Sequence, residues 1–98
     1  MAEHPGIVFK DGPSGRRAAL AFGPDAWEIV KVLREIDERG PTAVTATADV
    51  LALAEAKVRV VMHYYGAYPG EIDAEIEEAD RISTAAQAAW EAEQRLLT

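Results

Sequence analysis

The 98-residue chain has no cysteine, two histidines and only ten basic residues against seventeen acidic ones. Without cysteine there are no disulfides, no thiolate nucleophile and no Cys-based zinc site, a pattern suited to a reducing compartment. His4 and His63 are too few, and too far apart in sequence, to suggest a metal centre. Ser14, Ser83 and the threonines have no recognisable base beside them, and no Gly-rich phosphate loop accompanies the carboxylates. No catalytic constellation emerges, so the chain is read as a non-enzyme without a cofactor. No run approaches the ~18 apolar residues of a membrane span. The opening "MAEHPGIVFK" also lacks a basic, apolar leader. A cytoplasmic protein without a membrane role is expected.

What is abundant is alanine, nineteen of the 98 residues. Alanine buries little area, so the 49% hydrophobic content overstates the core. A core this small favours an oligomer or a stable partner. The net charge of −7 is uneven. Residues 69–98 hold eight acids against Arg81 and Arg95, whereas residues 1–68 are close to neutral. An acidic tail repels nucleic acid and attracts basic proteins.

The order of elements reads as mainly α, within a single domain over 1–98. A β-hairpin is expected over 7–22, where "IVFK" and "RRAALAF" flank the turn "DGPSG". A helix-turn-helix or winged-helix-like core of three helices follows over 24–68. Its first helix opens at Pro24, carries Ile29, Val32, Leu33 and Ile36 on one face, and stops at Gly40-Pro41. The second runs from about 42 to 53 with Val44, Ala48 and Leu51 inward. The third runs from Glu55 to before Pro69, with Val58, Val61, Met62 and Tyr65 as its core stripe. A long acidic helix over 69–97 closes the chain. At 1.5 Å per residue it spans roughly 40 Å, longer than a small domain covers. Part of its stripe (Ile72, Ile76, Ala79, Ile82, Ala86, Ala89, Leu96) should therefore bury against another chain.

Two surfaces compete for a binding role. If the third helix entered a major groove, Ala56, Arg59, Val60, His63 and Tyr64 would face bases. Only Arg59, with Lys57 beside it, has reader chemistry. Lys10, Arg16 and Arg17 on the hairpin could touch phosphates, although three charges are a weak footprint. Val60, Tyr64 and Tyr68 form a second apolar stripe that suits a protein partner better than a base pair. The carboxylates Glu71, Glu75 and Glu78, and Asp73, Glu77 and Asp80, read as solvated helix faces.

The stretches "HPGIVFKDGPSGRRAALAFGPDAWEIV" and "VLALAEAKVRVVMHYYGAYPGEIDAEIEE" resemble a known class. It comprises small, winged-helix-like bacterial proteins, common in actinobacteria, in a family of unknown function regarded as VapB-type antitoxins of PIN-like nucleases. The similarity covers about residues 4–97, with "DGPSGRR", "GPDAWE" and "YYGAYPGEID" its most specific pieces. The resemblance implies a homodimer that binds and silences a PIN-like ribonuclease toxin and represses its own promoter through weak DNA binding. The broader class carries a Gly-Thr-Arg-Ile-Pro-Val segment before its first long helix. Here Gly15-Arg16-Arg17-Ala18-Ala19-Leu20 stands in its place, so contacts made through that segment do not carry over. On this reading Val60, Tyr64, Tyr68, Ile76, Arg81, Trp90 and Arg95 contact partners. Arg81 is the first choice to reach into a nuclease's metal-binding carboxylates, and Arg95 the second. Removing everything after Pro69 is expected to leave the helix-turn-helix region folded while abolishing binding. The alternatives are a helix-turn-helix transcriptional regulator without a toxin and a plain dimeric interaction module.

Overall fold

The computed structural model describes residues 4–12 and 15–98. Strand β1 (Ile7–Gly12) pairs antiparallel with β2 (Gly15–Leu20), with Ile7 opposite Leu20 and Lys10 opposite Arg17. Pro13 and Ser14 of the expected "DGPSG" turn lie outside the described residues. The alanines that weaken β2 on propensity have a packing reason. Ala18 and Ala19 point to opposite faces, and both are fully buried. Ala18 belongs to the core, and Ala19 is covered where the chain returns to bridge it with Asp25.

Four helices follow: α1 (Ala26–Glu35), α2 (Pro41–Leu51), α3 (Glu55–Ala67) and α4 (Pro69–Arg95). The fold is mainly helical, with the N-terminal hairpin and long C-terminal helix that the sequence predicts. Helix α1 stops earlier than expected, however, at Glu35 and not at Gly40-Pro41. Ile36 is already extended (φ −71°, ψ 147°), and the Arg39 guanidinium bonds the carbonyls of Ile36, Asp37 and Glu38 at 2.7, 3.2 and 2.9 Å. That one side chain satisfies acceptors that a longer helix would have satisfied itself. Gly40, at φ +66°, then supplies the turn into α2.

The α2–α3 connection is residues 52–54, short as a helix-turn-helix requires. The sequence offers no glycine there, and Ala52 takes the left-handed conformation instead, at φ 55°. Its strain of about 1–2 kcal/mol is offset by closure of the turn, in which the Leu53 N–H reaches the Ala48 carbonyl at 2.9 Å.

The core gathers Leu20 from the hairpin, Ile29 and Val30 from α1, Val44 and Ala48 from α2, Val58, Val61 and Tyr64 from α3, and Ile72 and Ile76 from α4. Two expectations about α3 are corrected here. Met62 is 40% exposed, whereas Tyr64, read as outward-facing, is 2% exposed and among the largest core residues. The inward stripe is Val58, Val61 and Tyr64, rotated from the expected one because α4 and Phe9 close over the Tyr64 side of the helix.

Only the first part of α4 is packed. Ile72 and Ile76 are buried, Ala79 is half-buried, and every residue from Asp80 onward is exposed. Two surface ion pairs from α1 flank it: Arg34 with Asp73 within the packed part, and Lys31 with Asp80 at its border, at 2.5 Å. The Arg34 partner and a hydrogen bond from Tyr65 hold the Asp73 carboxyl below its usual range. A cut after Pro69 would therefore remove core side chains, so the expectation that the remainder stays folded is withdrawn.

Candidate functional site

The hairpin cations are largely engaged within the fold. Arg17 Nε lies 2.9 Å from Asp25 Oδ2, a close ion pair without an aligned hydrogen bond. Lys10 donates to the Gly23 carbonyl at 2.9 Å and lies 3.7 Å from the same Asp25. The Arg16 guanidinium sits 4.1 Å from the centre of the Phe9 ring. These contacts fasten the hairpin to the start of α1. Lys10 and Arg17 are thus less available to phosphates than their sequence position implies.

The outer face of α3 is partly covered. Gly6, at φ +93°, approaches so closely that a Cβ there would lie 3.3 Å from a Val60 methyl. His4 is buried against this helix, its ring 5.6 Å from that of His63, 5.1 Å from Tyr64 and 5.6 Å from Tyr68. The fold thus joins two histidines that are 59 positions apart in sequence. Of the five side chains expected to face bases, Tyr64 is buried and Val60 half-buried. Ala56, Arg59 and His63 line a hollow of about 420 Å³ with His4, Pro5 and Val60. Lys57 and Arg59 are exposed, but α3 does not offer one continuous free face.

The expected apolar face of Val60, Tyr64 and Tyr68 is likewise broken up. The Tyr64 hydroxyl donates to Glu71 at 2.9 Å, and burial, with that bond to an anion, pushes its ionisation well above the ordinary range. Tyr68 stays partly exposed, and Ile76 is a core residue, not a free contact. By contrast, Arg81, Trp90 and Arg95 are all exposed on α4, Arg81 pairing with Glu78 three residues before it. Ile82, Leu96 and Leu97 are exposed on the same overhang.

At the root of that overhang lies a cavity of about 550 Å³ between the hairpin, α1 and α4. Trp27, Ala79 and Ile82 supply apolar walls, Arg16 and Arg17 stand on one side, and Glu71, Glu75 and Glu78 on the other. The three carboxylates are not equivalent. Glu71 accepts from Tyr64, Glu78 pairs with Arg81, and Glu75 keeps a buried oxygen, Oε2, without a donor. Burial, then repulsion from Glu71 and Asp25, outweighs the attraction of Arg17 and pushes the Glu75 carboxyl up to about 7. Reading Glu75 as part of a solvated face is therefore corrected. Spacing along one helix reveals which carboxylates share a face, but not that Trp27 and the hairpin close over one of them. Phe22, fully exposed at φ 57°, is a further feature that the sequence reading missed. Among the described residues, no three His, Cys, Asp or Glu side chains converge to hold a metal ion.

No family model matches the chain, and no solved structure matches it. It is similar to the Cell division ATP-binding protein FtsE of Bacillus subtilis, with 36% identity over 62 residues, 62% of this chain. The chain spans about 25% of the length of that relative. No helix among the described residues is long and apolar enough to cross a membrane.

Proposed function

We propose that this chain is an antitoxin, a homodimer that binds and neutralises a PIN-like ribonuclease through the exposed part of α4. The observation that carries the reading is the unpacked run from Asp80 to the end of the helix. It bears Ile82 and Trp90 in the open, with Leu96 and Leu97 exposed just after it, and is continuous with an acidic stretch. Exposed aromatic and aliphatic side chains on a helix suit the groove of a partner. The −6 charge of residues 69–98 suits the basic rim of an RNA-cleaving enzyme. Arg81 and Arg95 stand free enough of the core to reach a nuclease's carboxylates.

DNA binding is proposed as a weaker, secondary activity, because the hairpin cations are engaged and α3 is partly covered. This also places a toxin-independent transcriptional regulator behind the antitoxin reading. The partial similarity to an ATP-binding protein brings no nucleotide site with it. The pattern G-x-x-x-x-G-K-[ST], whose backbone and lysine cradle phosphates, occurs nowhere in the chain.

The test is to mix the purified chain with a PIN-like nuclease encoded beside it and follow cleavage of a labelled RNA. Stoichiometric inhibition and co-elution are expected. Undiminished cleavage at a several-fold excess of the chain, without co-elution, would overturn the reading.

A further inference from the structure

We propose that the cavity between Trp27 and α4 is a socket for one basic side chain, arginine or lysine, of the protein that docks along α4. This rests on the reading of the acidic helix as the docking element and adds the residue class that it captures.

The cavity's chemistry selects such a guest. Its walls include an indole and the apolar side chains of Ala79 and Ile82, which suit the methylene stem of a long side chain. Its one carboxylate without a donor is Glu75, with Oε2 buried, whereas Glu71 and Glu78 already have partners. A buried acceptor left unpaired is costly, and an incoming ammonium or guanidinium would satisfy it beside the Trp27 indole that lines the cavity. Burial, with repulsion from Glu71 and Asp25, holds the Glu75 proton near neutrality, and a cation beside it would release that proton.

The two arginines beside the cavity do not cancel this preference. Arg17 is paired with Asp25, and Arg16 lies over Phe9. Among the described residues neither forms an ion pair with a cavity carboxylate. A basic side chain arrives on a peptide, whose backbone carbonyls are ready acceptors for Arg16. The acidic stretch of α4 around the cavity, five carboxylates from Glu71 to Glu78, would steer the same positive surface toward it.

The experiment titrates Nα-acetyl-arginine methylamide into the full ¹⁵N-labelled chain at pH 8, where Glu75 is mostly ionised. The indole N–H signals of Trp27 and Trp90 report site and reference, since Trp90 lies on the exposed overhang. A saturable shift of the Trp27 signal is expected, repeated by the lysine analogue and at least tenfold weaker for the neutral isostere citrulline. Glu75→Gln should weaken arginine binding at least tenfold while keeping a cooperative melt. Equal binding of arginine and citrulline, preference for the glutamate analogue, or an unchanged response in Glu75→Gln would each overturn the proposal. Failure here with nuclease inhibition intact removes the socket alone. Saturable arginine binding without nuclease capture removes the antitoxin reading and leaves the socket standing.

Discussion

Residues 69–79 and 80–95 belong to one unbroken helix, yet the first part is built into the core and the second stands in the open. The first part carries Ile72 and Ile76, buried against the other helices, with the Arg34–Asp73 pair beside them and the Lys31–Asp80 pair at the border of the second part. The second is rich in alanine, with Ala85, Ala86, Ala88 and Ala89 in one run, and Gln87 donates to Glu91 at 3.0 Å. A helix without packing must stand on propensity and i, i+4 contacts, and alanine gives the highest propensity of all. An isolated helix of that length is still marginal in water. The packed part therefore anchors the exposed part.

The comparison breaks most visibly at Ile72. Replacing this fully buried side chain with alanine should cost about 2–5 kcal/mol and lower the melting temperature sharply. Trp90→Ala, on the exposed part, should leave the melt within about 0.5 kcal/mol of wild type. Equal destabilisation by the two changes would erase the distinction between the halves. Next in size is truncation after Arg81, which spares Ile72 and Ile76. It should keep a cooperative melt yet weaken nuclease binding about 100-fold, or ~2.7 kcal/mol, as read by co-elution and RNA cleavage. A truncated chain that melts normally and inhibits at full strength would show that the overhang is not the inhibitor.

A smaller effect sharpens the border between the halves. Glu75 titrates near 7 in the fold, above the ordinary 4.5, so the folded state binds more protons than the unfolded one between those values. Stability should accordingly fall as the pH rises from ~4.5 through ~7. Glu75→Gln should match wild type at pH 4 and exceed it at pH 8 by ~1 kcal/mol, after discounting for solvent screening. Denaturant melts at the two pH values measure this, and a variant less stable at pH 8 would contradict it. The smallest change is expected from Asp73→Asn. Its pair with Arg34 is exposed on both sides, so the melt should barely move and the residual difference should shrink in high salt.

Much of this architecture is legible in the residues. Pro69 opens α4, the hairpin strands flank a Gly/Pro turn, and the 3.6-residue period places Ile29, Val44, Val58 and Ile72 inward. The end of α1 is not legible, because a side chain four residues beyond the helix, Arg39, satisfies the carbonyls of the segment that follows it, Ile36, Asp37 and Glu38. Nor is the candidate site. Helical spacing groups Glu71, Glu75 and Glu78 on one side of α4, but treats them alike.

The sequence by itself determined the order of elements, the acidic bias of the tail and the surplus of helix beyond the core, because these follow from local period, turn chemistry and charge count. The inward face of α3 was decided only in three dimensions. Both of its stripes are apolar, and Phe9 and α4, closing from distant parts of the chain, chose Tyr64 over Met62. The same closure gave Glu71 a tyrosine hydroxyl and left Glu75 half-buried beside Trp27 with an oxygen unpaired. Burial and hydrogen bonding depend on which surfaces meet, and a local pattern carries no record of that meeting.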